Sequence, residues 1–315
     1  MAAIKSSEVV LSESSYGKDL VKVARVVREG NTHHVVEYVV RALLTGDFDR
    51  SYSHSDNSNI VATDTVKNTI YILAKTSPHV LDAPAFALHL GLHFVNKYSQ
   101  VKAAHVEIQS LKWSRLEFDG KGHDHSFVRD GDEKQTVDCL VDASTSKDSP
   151  QVTLTVGLKD LLILKTGGSS FEGYFKNEHT TLPEVKDRLF STGVTYTYTI
   201  PLPPNTPATI DNLPSIASTL NFPKIAKTAR HGTLDVFANT HSASVQATIF
   251  DSAQKVMAEA PEISEMSYVY PNKHYIPVNL SPFGLDNGLG LEGGAEVFWP
   301  AADPSGLIKA SFKRA

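Results

Sequence analysis

One order of hydrophobic periodicities occurs twice in this sequence, and it limits the fold more than any single motif does. In the first half, residues 20–29 (LVKVARVVRE) and 33–46 (HHVVEYVVRALLTG) are valine-rich and alternate, so both read as strands. In the second run Val36, Tyr38, Val40, Ala42 and Leu44 share one face. Gly30–Asn31 between the runs is hairpin chemistry. Two helical patterns follow: Val66, Ile70 and Leu73, then Phe86, Leu90 and Phe94 behind Pro84. Two more strands close the half. One covers 101–118 and the other starts near His125 and ends in TVDCLVD, with the Gly- and Asp-rich turn DGKGHD between them.

The second half repeats the order. Leu154, Val156 and Leu158 alternate, as do Val194, Tyr196, Tyr198 and Ile200 with threonine between them. The Pro-rich stretch PLPPNTPATIDNLP reads as a loop. Ile225, Ala229, Gly232 and Val236 then mark one helix, and Val245, Ile249, Ala253 and Val256 another. Two strands are expected at about 263–280 and 296–312.

Strands joined by short turns are antiparallel, and helix pairs inserted between hairpins must cover one face of the sheet. The fold class is therefore α+β rather than doubly wound α/β. The polar stretch STSKDSPQ, with Pro150, marks the boundary between a first domain at 1–148 and a second at 149–315. Four-stranded sheets covered on one face leave open edges, which several copies can close by joining their sheets. The pattern thus favours a homo-oligomer.

Composition excludes several classes. The single cysteine, Cys139, rules out an internal disulfide framework and a cysteine-based zinc site. A net charge of −5 gives no reason to expect nucleic acid as a partner. No apolar stretch approaches the roughly 20 residues of a membrane helix, and MAAIKSSEVVLSESS lacks a secretory core, so an intracellular chain is expected. No P-loop, HExxH or GxSxG occurs, and no helical pattern follows the Gly-rich GLDNGLGLEGG.

Thirteen histidines ask for an explanation. His123 and His125 alternate on a strand and could chelate a metal, with His105 as a third ligand, although their turn position favours exposed or interfacial polar side chains. His33 and His34 face opposite sides of a strand. His89 and His93 share a helix with an apolar stripe, which suits packing. Other polar residues have ordinary readings when taken singly. Lys18 is a solvated charge, Thr63–Asp64 an N-cap, Arg188 a surface ion pair, and Asn272 and His274 two residues on one strand face.

Together they form a pattern. YGKD (16–19), DNSNIVATDTVKNTIY (56–71), DGKGHDHSFVRD (119–130), LTVGLKDLLILKTGGSSFEGY (154–174), TTLPEVKDRLFST (180–192), SASVQATIF (242–250), YPNKHY (270–275) and DPSGLIKASF (303–312) occur in one order. In these segments the chain resembles the urate oxidase (uricase) family from Tyr16 to about Lys309. The likeness is closer to fungal members, while PFGLDN (282–287) looks more like bacterial ones.

The resemblance implies two tandem tunnelling-fold (T-fold) domains. Each is an antiparallel four-stranded sheet with two helices on one face, closing into a barrel on oligomerisation as a homotetramer. It implies cofactor-free oxidation of urate by dioxygen, with no metal, to 5-hydroxyisourate and hydrogen peroxide, on the way to allantoin. Lys18 and Thr63 then correspond to a catalytic pair, and His274 completes the proton relay. Arg188 and Gln246 clamp the purine, Phe171 stacks on it, and the backbones of Asp64 and Val245 make further contacts. Asn272 holds dioxygen or water above the ring. By the same likeness the site lies between subunits: Lys18, Thr63 and Asp64 come from one chain, and Phe171, Arg188, Val245, Gln246, Asn272 and His274 from its neighbour.

These residue types suit that chemistry. Arginine offers a rigid, charged fork of donors to a flat anion. Glutamine can pair with an N–H and a C=O together. Gln246 falls in the first turn of its helix, after Ser242 or Ser244 as cap, where free N–H groups favour an anion. A phenyl face gives stacking area without demanding hydrogen bonds. Removing a proton from urate makes it electron-rich, so the protein's task is to carry that proton and stabilise the anion. Lys18 can serve as base directly or through the Thr63 hydroxyl, and the His274 imidazole can feed the same relay.

Two other functions are open from the sequence. One is a catalytically silent purine- or pterin-binding T-fold protein. The other is a metal-dependent relative using the His123–His125 region. The family likeness implies a peroxisomal location, but the chain ends Lys313-Arg314-Ala315 rather than in S-K-L, so the cytoplasm is the other expectation.

Overall fold

Alternating branched residues draw the first segment into a hairpin. Strand β1 (Tyr16–Glu29) pairs antiparallel with β2 (Thr32–Gly46), and Gly30 at the turn takes φ 61°, a left-handed value that glycine adopts without strain. The structure, a computed structural model, describes residues 9–289, 294–301 and 303–314. Part of the Gly-rich GLDNGLGLEGG and the terminal Ala315 lie outside the described residues. No described helix is long and apolar enough to cross a membrane.

Two compact units emerge. The first runs up to Asp130 and adds Gln135–Val156 and Pro201–Phe222. The second takes Gly131–Lys134, Gly157–Ile200 and Pro223 onward.

In the first unit, a short α1 (Asp49–Ser53) is followed by α2 (Thr63–Thr76) and α3 (Ala83–Lys97), then β3 (Val101–Phe118) and β4 (Lys121–Asp142). Strand order is β1-β2-β3-β4. The expected face of β2 is the core face: Tyr38, Val40, Ala42 and Leu44 are buried, together with Val106 and Ile108 of β3 and Val137 and Cys139 of β4. Helices α2 and α3 bury Val66 and Ile70, and Phe86, Leu90 and Phe94. Tyr38 stacks on Phe86 at 5.9 Å and donates its hydroxyl to Val80 O at 2.7 Å, so its one polar atom is satisfied inside. A Cβ on Gly91 would stand 2.5 Å from Val141 Cγ2, so glycine lets α3 seat closely.

The stretch read from sequence as a loop, 201–214, is a loop up to Asn212, and a helix not expected from the sequence starts at its last two residues. Within 201–222 the chain forms α4 (Leu213–Leu220), which buries Leu213, Ile216 and Leu220 and packs with α3. Pro214 lies in its first turn, where a missing N–H costs nothing, and Asn221 ends it in the left-handed conformation at φ 47°.

The second unit contains β5 (Gln151–Lys165) from Gly157 onward, β6 (Phe190–Thr199), α5 (Phe222–Asn239) from Pro223 onward, α6 (Val245–Glu259) and β7 (Glu265–Pro277). The single strand expected at 296–312 is two, β8 (Phe298–Ala301) and β9 (Leu307–Lys313). β9 pairs antiparallel with Glu265–Pro271 of β7, and β8 with His274–Pro277. The core is aromatic: Phe190, Tyr196, Tyr198, Tyr268 and Tyr270 are buried. Thr233 Oγ1 donates to Ala229 O at 2.8 Å, so Tyr268 donates to Thr233 Oγ1, also at 2.8 Å. At the far end of α6, Arg314 donates to Ile263 O at 2.8 Å, to Ala260 O at 3.0 Å and to Met257 O, so a guanidinium satisfies carbonyls left over at the helix C-terminus.

Candidate active site

Of the nine residues singled out, Lys18, Thr63 and Asp64 lie in the first unit and the other six in the second. Lys18 pairs with Ala42, and the register then slips before Val21. Leu20 takes φ 54° there, a bulge that turns the strand just beyond Lys18. Asp19 holds the bulge by accepting Leu20 N–H at 2.7 Å and Arg41 Nε–H at 3.2 Å. Gly17 lies so close to β2 that a Cβ would meet Ala42 O at 1.9 Å. The two residues flanking Lys18 therefore fix its backbone.

Thr63 and Asp64 are the first residues of α2 rather than its cap. The cap is Ala62, with extended dihedrals (φ −54°, ψ 139°) and no side-chain acceptor. The helical ladder begins one residue earlier than expected because Val66 N–H reaches Ala62 O at 3.1 Å. The Asp64 carboxylate accepts Lys67 Nζ at 2.6 Å and Asn68 Nδ2 at 2.8 Å. Lys67, then Asn68 and the charge of Lys18, hold it below the usual carboxylate range. Lys18 and Asp64 are thus electrostatic neighbours.

In the second unit, Arg188 comes just before β6 and is half-buried. Its guanidinium carbon lies 5.2 Å from the centre of the Phe171 ring, a cation–π distance. Its Nε–H is buried and has no hydrogen-bond partner among the described residues. Burial lowers its pKa from the ordinary arginine value. A buried donor without an acceptor is costly unless something fills the place.

Phe171 is fastened on the same loop: its N–H donates to Val185 O at 2.7 Å and its carbonyl accepts Val185 N–H at 3.1 Å. Tyr174 stacks on its ring at 4.7 Å and 11°. The backbone N–H of Arg188 donates to Ser169 O at 2.8 Å. Ser170 N–H donates to Ser242 O at 2.8 Å and Ser242 N–H to Gly168 O at 2.9 Å, which ties this loop to the entry of α6.

The cap of α6 is Ser244, whose Oγ accepts Ala247 N–H at 3.1 Å. Ser242, the other candidate, instead accepts the Thr248 hydroxyl at 2.9 Å. Val245, buried, and Gln246, exposed, open the helix, where backbone N–H groups have no intrahelical acceptor. Asn272 lies opposite Thr192 of β6, and its N–H donates to Gly306 O at 2.7 Å. His274, exposed, pairs with Ala301, the last residue of β8.

Several of the other histidines have partners. His89 Nδ1 bonds Ser77 Oγ at 2.8 Å, and burial lowers its pKa. His105 does not join His123 and His125. Its Nε2 lies 2.9 Å from Asp138 Oδ1, and its ligand atom gathers with those of Glu107 and Asp138, while Glu107 is paired with Arg41 at 2.8 Å. The His123 and His125 rings meet edge-on at 4.7 Å, with the His33 ring 5.7 Å from His125.

Sequence reasoning gave no role to Asp187, Tyr174, Ser170 or His241. Asp187 Oδ1 accepts Gly168 N–H at 2.7 Å, and Ser170 Oγ bonds His241 Nε2 at 3.0 Å. Asp187, Tyr174 and Ser170 stand inside the segments that carry the family likeness, and that was their only sequence signal.

Known proteins resemble the chain over nearly its whole length. The family model described as Uricase matches residues 14–139 and 154–309. A uricase of Emericella nidulans is 40% identical over 96% of this chain and 97% of its own length. One from Aspergillus flavus is 40% identical over 100% and 98%. The crystal structure of uricase from Arthrobacter globiformis superposes with a TM-score of 0.82 at 32% identity, covering 98% of this chain and 96% of that one. With the family model spanning both halves, and with the α+β architecture in common, the chain belongs to the uricase family of enzymes.

Proposed function

We propose that this chain catalyses the oxidation of urate by dioxygen and water to 5-hydroxyisourate and hydrogen peroxide, without a bound metal or organic cofactor. The observation that carries the reading is the Arg188 guanidinium: half-buried, set over Phe171 and holding an unpartnered Nε–H. A flat anion with edge carbonyls supplies what that donor lacks. Phe171 offers the stacking face, and Gln246 with the free N–H groups of α6 pairs with the remaining edge.

In this reading Lys18 and Thr63 take a proton from bound urate, and His274 passes it on. The electron-rich dianion gives two electrons to dioxygen, which leaves as hydrogen peroxide, and water adds its hydroxyl at C5. Asn272 holds dioxygen or that water above the ring. The six residues of the second unit act with Lys18, Thr63 and Asp64 of a neighbouring copy in a homotetramer, whose joined sheets close a barrel. The grouping of three residues in one unit and six in the other agrees with such sharing.

The test mixes the protein with urate in air, with and without a chelator. Loss of urate absorbance with one peroxide per urate, unaffected by chelator, is expected. Urate binding without turnover would instead identify a silent purine binder. Chelator-sensitive turnover would identify a metal enzyme. Lys18→Ala and Thr63→Ala should each cut turnover at least about a hundredfold.

A further inference from the structure

Strand β1 reaches the approach to α2 through a single atom. The phenol oxygen of Tyr16 accepts the backbone N–H of Val61 at 2.7 Å. Among the described residues this is the one hydrogen bond between β1 and residues 57–62. Tyr16 stands two residues before Lys18, and Val61 two residues before Thr63. Alternation along a strand puts Tyr16 and Lys18 on the same side of β1.

Both ends of the tie are rigid. The Tyr16 ring meets Phe48 edge-on at 4.8 Å and 81°, and Phe48 is only 1% exposed. Gly17 presses against Ala42, and Val61 is buried. The 57–62 segment is otherwise moored upstream. Asn59 donates to Asp47 O at 3.1 Å and accepts from Gln100 at 3.0 Å. Between Asn59 and the start of α2, the Tyr16 bond is the hydrogen bond that ties this segment to β1, and it acts beside the packing of α2 on β1.

We propose that Tyr16 is a positioning residue for the proton relay, acting through Val61 to hold Thr63 at a working distance from Lys18. This rests on the reading of Lys18 and Thr63 given above. It assigns the phenol oxygen no contact with substrate. Small displacements of a proton carrier act on the rate of reaction more than on substrate binding.

The test is Tyr16→Phe, which removes the oxygen and keeps the ring on Phe48. Urate turnover is measured beside Lys18→Ala, Thr63→Ala and the double Tyr16→Phe/Thr63→Ala. Rates are expressed per site titrated with xanthine, a purine lacking the 8-carbonyl. A decrease in kcat of about ten- to a hundredfold is expected, with KM and xanthine affinity within about threefold. Amide exchange at Val61 should quicken. On the Thr63→Ala background the phenylalanine change should have almost no further effect, because it acts through that threonine.

Faster Val61 exchange with kcat within about twofold of the parent would overturn the assignment. So would an equal loss in kcat and in xanthine affinity, which marks general damage. Should Lys18→Ala and Thr63→Ala keep their turnover, the relay itself falls and Tyr16 loses its role with it. Should they lose it while Tyr16→Phe keeps it, only the Tyr16 assignment falls.

Discussion

Asp187 Oδ1 accepts the Gly168 N–H at 2.7 Å, and this bond joins the loop that carries Phe171 to the residue next to Arg188. Ser169 N–H lies 3.4 Å from the same oxygen. A carboxylate that gathers backbone N–H groups fixes a loop without touching the ligand. Asp187→Ala should therefore raise the KM for urate about tenfold and lower kcat less, with a stability loss of about 1–2 kcal/mol. Asp187→Asn keeps an acceptor oxygen and should fall between the two. Steady-state kinetics beside thermal melts checks both.

For Arg188, charge and shape can be separated. Its Nε–H is buried and has no partner among the described residues, and lysine has no donor at that place. Arg188→Ala should raise the KM for urate about thirty- to a hundredfold, matching the loss of charged hydrogen bonds. Arg188→Lys should recover only a small part of it. Full recovery by lysine would show that charge alone suffices.

Gly17 makes a steric prediction. An alanine Cβ would sit 1.9 Å from Ala42 O, a backbone atom that cannot swing aside. Gly17→Ala should destabilise the protein by about 1–3 kcal/mol through separation of β1 from β2. Turnover should fall with it, since Lys18 is the next residue. Chemical denaturation with the linear extrapolation reads the first effect, and urate consumption the second.

Asp82 gives a pH dependence away from the site. Burial before α3 pushes its carboxyl up to about 6, against about 3.9 in an unfolded chain. The folded state then binds this proton more tightly than the unfolded state. The cost of holding the ionised carboxylate is absent below about pH 4, grows between pH 4 and 6, and is complete above that. Asp82→Asn removes the titration and keeps a residue suited to a helix start. The variant should gain about 2–3 kcal/mol over the parent at pH 7.5, and almost nothing at pH 4. Urea unfolding at both pH values decides it.

Much of the fold was legible because its periodicities are local. The stripes of α2, α3, α5 and α6 and the alternation of β2 and β6 turned out to be buried faces, except that Val36 of β2 is half-buried. Helix α4 escaped because Pro214 and its neighbours look like loop chemistry, while the helix needs only a first turn that tolerates proline. The break between β8 and β9 escaped because both partners belong to β7, and pairing leaves no mark on the periodicity of either strand. The site was legible only as a set of family segments. Arg188 has a buried Nε–H, as Arg25 does, and what sets it apart is a backbone bond to Ser169 and the ring of Phe171, both more than a dozen residues away. Thr63 was misplaced by one position because the cap at Ala62 is made by backbone shape, which residue type does not announce.

The three carbonyls gathered by Arg314 belong to the C-terminal end of α6 and the turn beyond it, while Val245 and Gln246 begin the same helix. Fifteen residues of α-helix form a rod of roughly 22 Å. A positive charge at one end of that rod complements its dipole, and the other end presents the N–H groups proposed to meet an anion. Residues near 314 are therefore not an appendage to the second unit. They are the rear mounting of a lever whose tip is Gln246. A tag fused behind Arg314 stands at the far end of that lever, and a linker there should leave the guanidinium room to keep its grip.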